Sequence, residues 1–457
     1  MNRLFKYRHT ASALAVAATL ALPANVQAQT ADATELETRV SELEQELAQT
    51  RAQLKAAQAG ESKAKEQLAT VEAASAKATA EEASAKSDKI AFDLFGGTLN
   101  VGGAIRANFA VGDYGDSASG APSRAWGDDG NFELDTYRIN MDYANGPILG
   151  KLEYRWYNGY NFLHTGWLGY QFDDDSQLQV GVNRVPFGPG PYGIAQSWFF
   201  DQHYYVGLAD DMDLGVKYST GFGDWAFDVA YYYADEGHYS GGSHDSSRYS
   251  YDVVNESDNG YEERNQFNLR GIYSLNAAIP TDLGFSLQYG QLDSKGAQDD
   301  GDAYAGSLHM VNKLNNFTLA TQITYYNFDV DSAQPLGTDD LVQFGAYDFP
   351  NTVAAEGWIP AISLSYYKAT PNIAWLDYVI PYIEYSTIVK EESSFNDSEL
   401  VNLGAAWASG GWYIYTDLSF SNGNEFIGGD TAFGDRLGAN ADDDWQTRFN
   451  INFGYYF

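Results

Sequence analysis

The chain has 457 residues and no cysteine, with 27 Lys and Arg against 62 Asp and Glu, for a formal net charge of −35. So acidic a balance repels phosphate backbones and excludes nucleic acid as a partner. The absence of cysteine excludes disulfides and thiolate-bound metals. The mean hydropathy is that of a water-soluble chain, but a barrel strand gives lipid only every second residue, so this average leaves a membrane barrel open.

Residues 1–28 read as a cleavable export signal. Arg3, Lys6 and Arg8 form the positive region, Ala11–Leu22 the apolar stretch and Val26-Gln27-Ala28 a small-residue cleavage site, so the mature chain is expected to begin at Gln29. No Cys follows to carry a lipid anchor. From Leu36 the apolar positions step by four and three: Leu36, Val40, Leu43, Leu47, Leu54, Ala57, Ala64, Leu68 and Val71, with Thr50 and Glu61 in the polar slots. This is a heptad seam, and it predicts an α-helical coiled coil over 29–72. A single helix has nowhere to bury such a stripe, which points to self-association; a solvated helix, or a stripe packed on its own barrel, is the alternative. Residues 73–97 read as a linker, with Ala73–Lys86 rich in Ala, Ser, Lys and Glu.

From Thr98 the period changes to two. Leu99, Val101, Ile105 and Phe109 alternate with Asn100, Arg106 and Asn108, and Tyr137, Ile139, Met141 and Tyr143 alternate with Arg138, Asn140 and Asp142. Successive side chains of a strand point to opposite faces, so each segment has one apolar and one wet face. Further segments near 148–157, 164–172, 177–185, 212–219, 224–233, 266–275, 282–291, 303–313, 316–328, 356–368, 378–389, 399–408, 411–421 and 445–457 bring the count to about sixteen. The last, Trp445–Phe457, has an apolar face of Trp445, Phe449, Ile451, Phe453, Tyr455 and Phe457.

The connections alternate. Asn145–Pro147, Asp173–Ser176, Thr220–Gly223, Leu314–Asn315 and Ser409–Gly410 are short, whereas 112–131, 186–211, 234–265, 329–355 and 422–444 are long. A soluble sandwich has no reason to keep its long loops at one end, whereas outer-membrane barrels pair short periplasmic turns with long external loops. The expectation over 98–457 is an all-β transmembrane barrel of about sixteen antiparallel strands, closed because an open edge in lipid leaves backbone groups unpaired.

The signal, the strand pattern and the terminal Tyr455-Tyr456-Phe457 together resemble a Gram-negative outer-membrane porin. Val180-Gly-Val-Asn-Arg-Val-Pro-Phe-Gly188 is similar to the strand-to-loop run of phosphate-selective and other substrate-specific porins. The heptad arm resembles the periplasmic coiled coil of sucrose porins and of some dicarboxylate-type porins. The resemblance implies an outer-membrane location with the arm in the periplasm, a homotrimer, and contact with outer-membrane lipid and lipopolysaccharide. It further implies that Phe457 is read by the barrel assembly machinery, and that the cargo is small hydrophilic solutes with no cofactor. It also implies that loop three, Pro186–Asp211, folds inward and narrows the pore.

Strand parity puts Arg106, Arg138, Arg155 and Arg448 on the polar face of strands one, two, three and sixteen, which become neighbours on closure. Facing Asp201, Asp210 and Asp211 of loop three, they would set a transverse field across the pore. The alternative is local pairing of the arginines with Glu133, Asp142 and Glu153. Parity directs Arg184 to the lipid face. The acidic runs Asp128-Asp129, Asp299-Asp300 and Asp442–Asp444 lack calcium-loop spacing and would concentrate cations at the pore mouth, a cation bias at low salt.

No His of the mature chain (His164, His203, His238, His244, His309) sits in a motif with a Ser and an Asp, so catalysis is not expected. Beside a diffusion pore stand two other readings: a channel selective for sugars or small organic acids, and a barrel whose main task is tethering through the coiled coil. A synthetic peptide of residues 29–72 is expected to be helical and to associate, as circular dichroism and sedimentation equilibrium would report. A monomeric peptide would contradict the seam.

Overall fold

The computed structural model describes residues 90–113, 130–173, 175–428 and 435–457. The signal peptide and the heptad arm, with its seam Leu36, Val40, Leu43, Leu47, Leu54 and Leu68, lie outside the described residues. Sixteen strands build the barrel: β1 (Gly97–Gly112), β2 (Asn131–Asn145), β3 (Ile148–Trp156), β4 (Asn161–Asp173), β5 (Ser176–Arg184), β6 (Met212–Phe222), β7 (Trp225–Asp235) and β8 (Tyr261–Leu275), then β9 (Thr281–Ser294), β10 (Gly301–Leu314), β11 (Phe317–Asp329), β12 (Glu356–Tyr366), β13 (Tyr378–Lys390), β14 (Ser398–Ser409), β15 (Trp412–Ser421) and β16 (Gln446–Tyr456). Each pairs antiparallel with its chain neighbours, and β16 returns to β1, with Ala104–Gly112 opposite Tyr456–Arg448. The sheet is closed.

Closure extends to the last residue. Gly103 N–H donates to Phe457 O at 2.8 Å, and Phe457 N–H donates to Gly103 O at 3.0 Å. Beyond that point a short strand, Ile90–Leu94, continues along β1, pairing with Gly97–Val101. It thus takes the slot that β16 leaves unfilled.

The period-two pattern explains both walls. Outward side chains such as Leu168, Leu287, Leu308 and Ile383 are largely exposed, while Asn108, Gln266, Ser286, Gln322, Ser363 and Asn402 on the opposite parity are buried inside. An exposed apolar belt of this extent belongs in lipid. Aromatic pairs bound it at both ends. At the long-loop end Tyr304, Tyr325 and Trp358 run side by side, with centroids 6.2 and 5.1 Å apart. At the short-turn end Tyr170 meets Phe172, Trp225 meets Tyr273, and Trp412 meets Tyr455. Amphipathic rings favour the interface between hydrocarbon and water.

The short turns follow from their residues: Gly146, with φ 57°, supplies the left-handed position after Asn145. On the long-loop side Leu341–Ala346 and Phe349–Ala354 form a hairpin whose turn residues Tyr347 and Asp348 both have positive φ (51° and 70°). Asp252–Val253, from the connection between β7 and β8, adds a third strand. Two long connections are thereby joined over the barrel mouth. Leu308→Arg, on the lipid-facing side of β10, is expected to lower the unfolding free energy in guanidinium by about 2–4 kcal/mol. An unchanged value would contradict the outward assignment.

Candidate functional site

The connection from β5 to β6, residues 185–211, does not stay at the rim. Its backbone bonds to the inner wall strand by strand: Gly188 N–H to Ser286 Oγ of β9 at 3.0 Å, Ser197 N–H to Glu384 Oε2 of β13 at 3.2 Å, and Gln202 N–H to Ser386 Oγ at 3.1 Å. Gln196 N–H also donates to Glu384. His203 Nε2 lies 2.8 Å from Thr324 Oγ1 of β11, and Asn402 Nδ2 of β14 donates to Ser197 Oγ at 3.1 Å. Ile194 packs on Val311, Ala320 and Ala361 of the same wall. The Pro, Gly and aromatic composition of this run suits a compact insert that satisfies its backbone through wall side chains rather than through a ladder.

The wall of β16, β1, β2 and β3 carries the four parity-predicted arginines, each 6 % exposed or less. Arg138 and Arg155 stand directly opposite each other in the β2–β3 register, an arrangement of like charges that needs a mediator. Glu153 supplies it, 3.4 Å from Arg138 Nη1 and 2.6 Å from Arg155 Nε. Arg106 Nε is 2.9 Å from Asp135. Asp135 sits where the β1–β2 register slips by one residue between Arg106 and Ala107, and such a bulge re-aims a side chain. The sequence reading missed Asp135 for that reason. Of the local partners offered by the alternative reading, Glu153 pairs with two of the arginines. Arg448 does not stand beside Arg106, although closure makes their strands neighbours. The register sets Arg106 opposite Gly454 and Arg448 opposite Gly112, six positions nearer the long-loop end, where Arg448 donates to Phe426 O and, at 3.0 Å, to Asn450.

Between this wall and the inserted segment lies a cavity of about 670 Å³. Arg106, Arg138, Arg155 and Arg448 line one side, and Tyr192, Trp198, Phe199, Phe200, Tyr204 and Tyr205 of the insert the other. Tyr157, Tyr249, Tyr347 and Phe426 from other long connections complete it. All four guanidiniums lie over rings: Arg106 over Trp198 at 4.5 Å, Arg138 over Tyr456 at 5.0 Å, Arg155 over Tyr249 at 4.5 Å and Arg448 over Phe199 at 5.1 Å. Cation–π contacts of this kind are worth about 0.5–2 kcal/mol each. Burial pushes the Tyr249 phenol well above its usual range, so it remains a neutral donor to Asp210.

The three aspartates expected to face the arginines go elsewhere. Asp201 folds back into its own loop, accepting from Ile194 N–H at 3.1 Å and lying 2.8 Å from His203 Nδ1. Asp210 pairs with Arg184 at 2.7 Å. Asp211 joins Asp213 and Asp252 in a separate acidic cluster. Among the described residues lining the cavity none is a carboxylate. The opposing face of the cavity is aromatic, with Asp210 set behind the Tyr249 ring. Arg184, directed outward by parity, turns back onto Asp210 and lies over Tyr192 at 5.5 Å.

No protein-family profile and no curated protein matches the chain. Among solved structures the fold is similar to the outer membrane channel DcaP of Acinetobacter baumannii, with a TM-score of 0.52 at 12 % identity over 79 % of this chain and 98 % of that one. It is similar also to outer-membrane expressed OmpT of Vibrio cholerae, at 0.50 and 13 % over 80 % of this chain and 100 % of the other. A trimer form of in-vitro folded OmpT from Vibrio cholerae matches at 0.50 and 14 %, over 79 % and 99 %. At such identities the likeness establishes the fold alone, a closed antiparallel barrel of sixteen strands.

Proposed function

We propose that this barrel, built on the fold of the outer-membrane porins, is a water-filled channel for small hydrophilic solutes in the outer membrane of a Gram-negative bacterium. The segment 185–211 acts as its constriction, and the arginine wall faces that constriction. The supporting observation is the combination of a closed, lipid-facing barrel with a segment bonded across its lumen to β9, β11, β13 and β14. Whatever crosses the barrel must pass between that segment and the wall of β16, β1, β2 and β3.

The lining favours the selective reading over plain diffusion. Four guanidiniums supply donors for a carboxylate, and the rings opposite offer flat apolar surface for the body of a small solute. A small organic acid meets both demands. A sugar would use the rings but bring no negative charge to the arginine wall. The acidic external runs gather cations at the mouth, but a charge at the narrowest point acts with less screening than one in open solvent, so the arginines set the preference of the pore. The homotrimer is supported by the trimer form of the Vibrio cholerae OmpT fold relative and by the heptad seam.

Purified protein is expected to give stepwise currents in planar bilayers and a reversal potential less cation-selective than its net charge suggests. Replacing Arg106, Arg138 and Arg155 together with Gln should move that potential towards cations and slow the uptake of small carboxylates into liposomes. No current from the wild type would sink the channel, and an unchanged selectivity in a folded variant would leave the arginines structural.

A further inference from the structure

A second charged centre lies behind the root of segment 185–211. Asp211, just before β6, Asp213, the second residue of β6, and Asp252, from the connection between β7 and β8, bring carboxylate oxygens within 4.8 Å of one another. Glu236, the residue after β7, is close enough to Asp252 for their charges to interact. All four are buried, the most exposed at 5 %. Arg248 reaches Asp252 at 3.0 Å, but the same guanidinium also serves Asp235 at 2.8 Å and Asp245 at 2.7 Å.

The second observation is what these acids leave over. Glu236 Oε1 accepts from the N–H groups of Tyr249 and Ser250 at 3.1 and 2.8 Å, and Asp213 Oδ2 accepts from Gln266 at 3.0 Å. Their other oxygens, Glu236 Oε2 and Asp213 Oδ1, together with Asp211 Oδ1, are fully buried and have no hydrogen-bond donor among the described residues. Buried carboxylates persist when paired with cations or bound to metal. One arginine shared by three partners does not balance this group, and each undonated oxygen is a buried acceptor open to a cation.

We propose that Asp211, Asp213, Glu236 and Asp252 bind a divalent cation of the calcium class. The donor set is carboxylate oxygen throughout, which suits a hard cation and gives a thiophilic or imidazole-seeking metal nothing to hold. Calcium takes oxygens at about 2.3–2.6 Å in flexible geometry, so two oxygens on opposite sides of one ion lie about 5 Å apart, a span that Asp211, Asp213 and Asp252 fit. Magnesium demands a tighter octahedron and parts with its waters reluctantly.

The ion ties three parts of the chain together: the root of segment 185–211, the end of β7, and the loop that carries Tyr249 and Tyr251. Tyr249 roofs the arginine cavity over Arg155 and donates to Asp210. The cation therefore braces that roof from behind. This site stands whether or not the barrel conducts.

The test uses full-length protein stripped with EDTA and titrated calorimetrically with calcium chloride and, separately, magnesium chloride. Asp211→Asn combined with Asp213→Asn, and Glu236→Gln alone, serve as comparisons. The expected result is uptake by the wild type of about one calcium per chain more than either variant takes. The wild-type thermal midpoint should also rise with calcium. In EDTA the double variant should be at least as stable as the wild type, because its like-charge repulsion is gone. A wild-type midpoint indifferent to calcium, equal uptake by wild type and variants, or magnesium bound as tightly as calcium would overturn the proposal. The wild-type titration decides even if a variant fails to fold.

Discussion

The carboxylate of Glu384 holds the interior of this barrel in place. It projects from β13, is 3 % exposed, and accepts the backbone N–H groups of Gln196 and Ser197 together with the hydroxyl of Ser363. Hydrogen bonds to a charged acceptor contribute about 1.5–3 kcal/mol each, and a buried carboxylate stripped of them is costly. Each residue of the crossing segment meanwhile loses about 1–2 kcal/mol of backbone freedom. The bonds to Ser286, Thr324, Ser386 and Asn402 and the packing of Ile194 share that cost. Released from Glu384, the middle of the segment keeps fewer reasons to lie across the lumen.

The rest follows from where that segment stops. Pinned to the wall of β8–β14, it presents Trp198, Phe199 and Phe200 to the opposite wall and leaves a gap against β16, β1, β2 and β3. The arginines there are held before any solute arrives, since Glu153 and Asp135 fix three of them from below and ring faces cover them from above. Such guanidiniums need little reordering to meet an anion, which is the condition for selective binding at modest cost. The acid-rich chain thus carries a basic patch inside its barrel, and on the proposed function that patch, rather than the net charge of the loops, faces the solute.

The barrel was legible in the sequence because a half-wet strand has one repeat, two, and every strand repeats it. All sixteen segments, the closing pair β16–β1 and the inward parity of Arg106, Arg138 and Arg155 follow from that single number. What lay beyond it depended on breaks in the repeat. Asp135 turns inward at a one-residue slip in the β1–β2 register. Arg448 stands away from Arg106 because register along a closed sheet is set by all its strands together, and parity says nothing of height. The aspartates of 186–211 were assigned by composition and by family resemblance. A loop has no period from which to read direction, and each found a nearer partner: His203 for Asp201, Arg184 for Asp210, the acidic cluster for Asp211. That cluster gathers residues from separate connections, so no calcium-loop spacing marks it.

On the proposed function, the segment tied to Glu384 sets the width and the chemistry of the passage. The most direct measurement is the single-channel current of Glu384→Ala beside the wild type in planar bilayers, with folding verified by resistance of the barrel to unfolding in detergent. A segment held across the lumen by Glu384 predicts a larger and noisier conductance in the variant and a weaker preference among small carboxylates. Currents of the same size, quiet and equally selective, would contradict it.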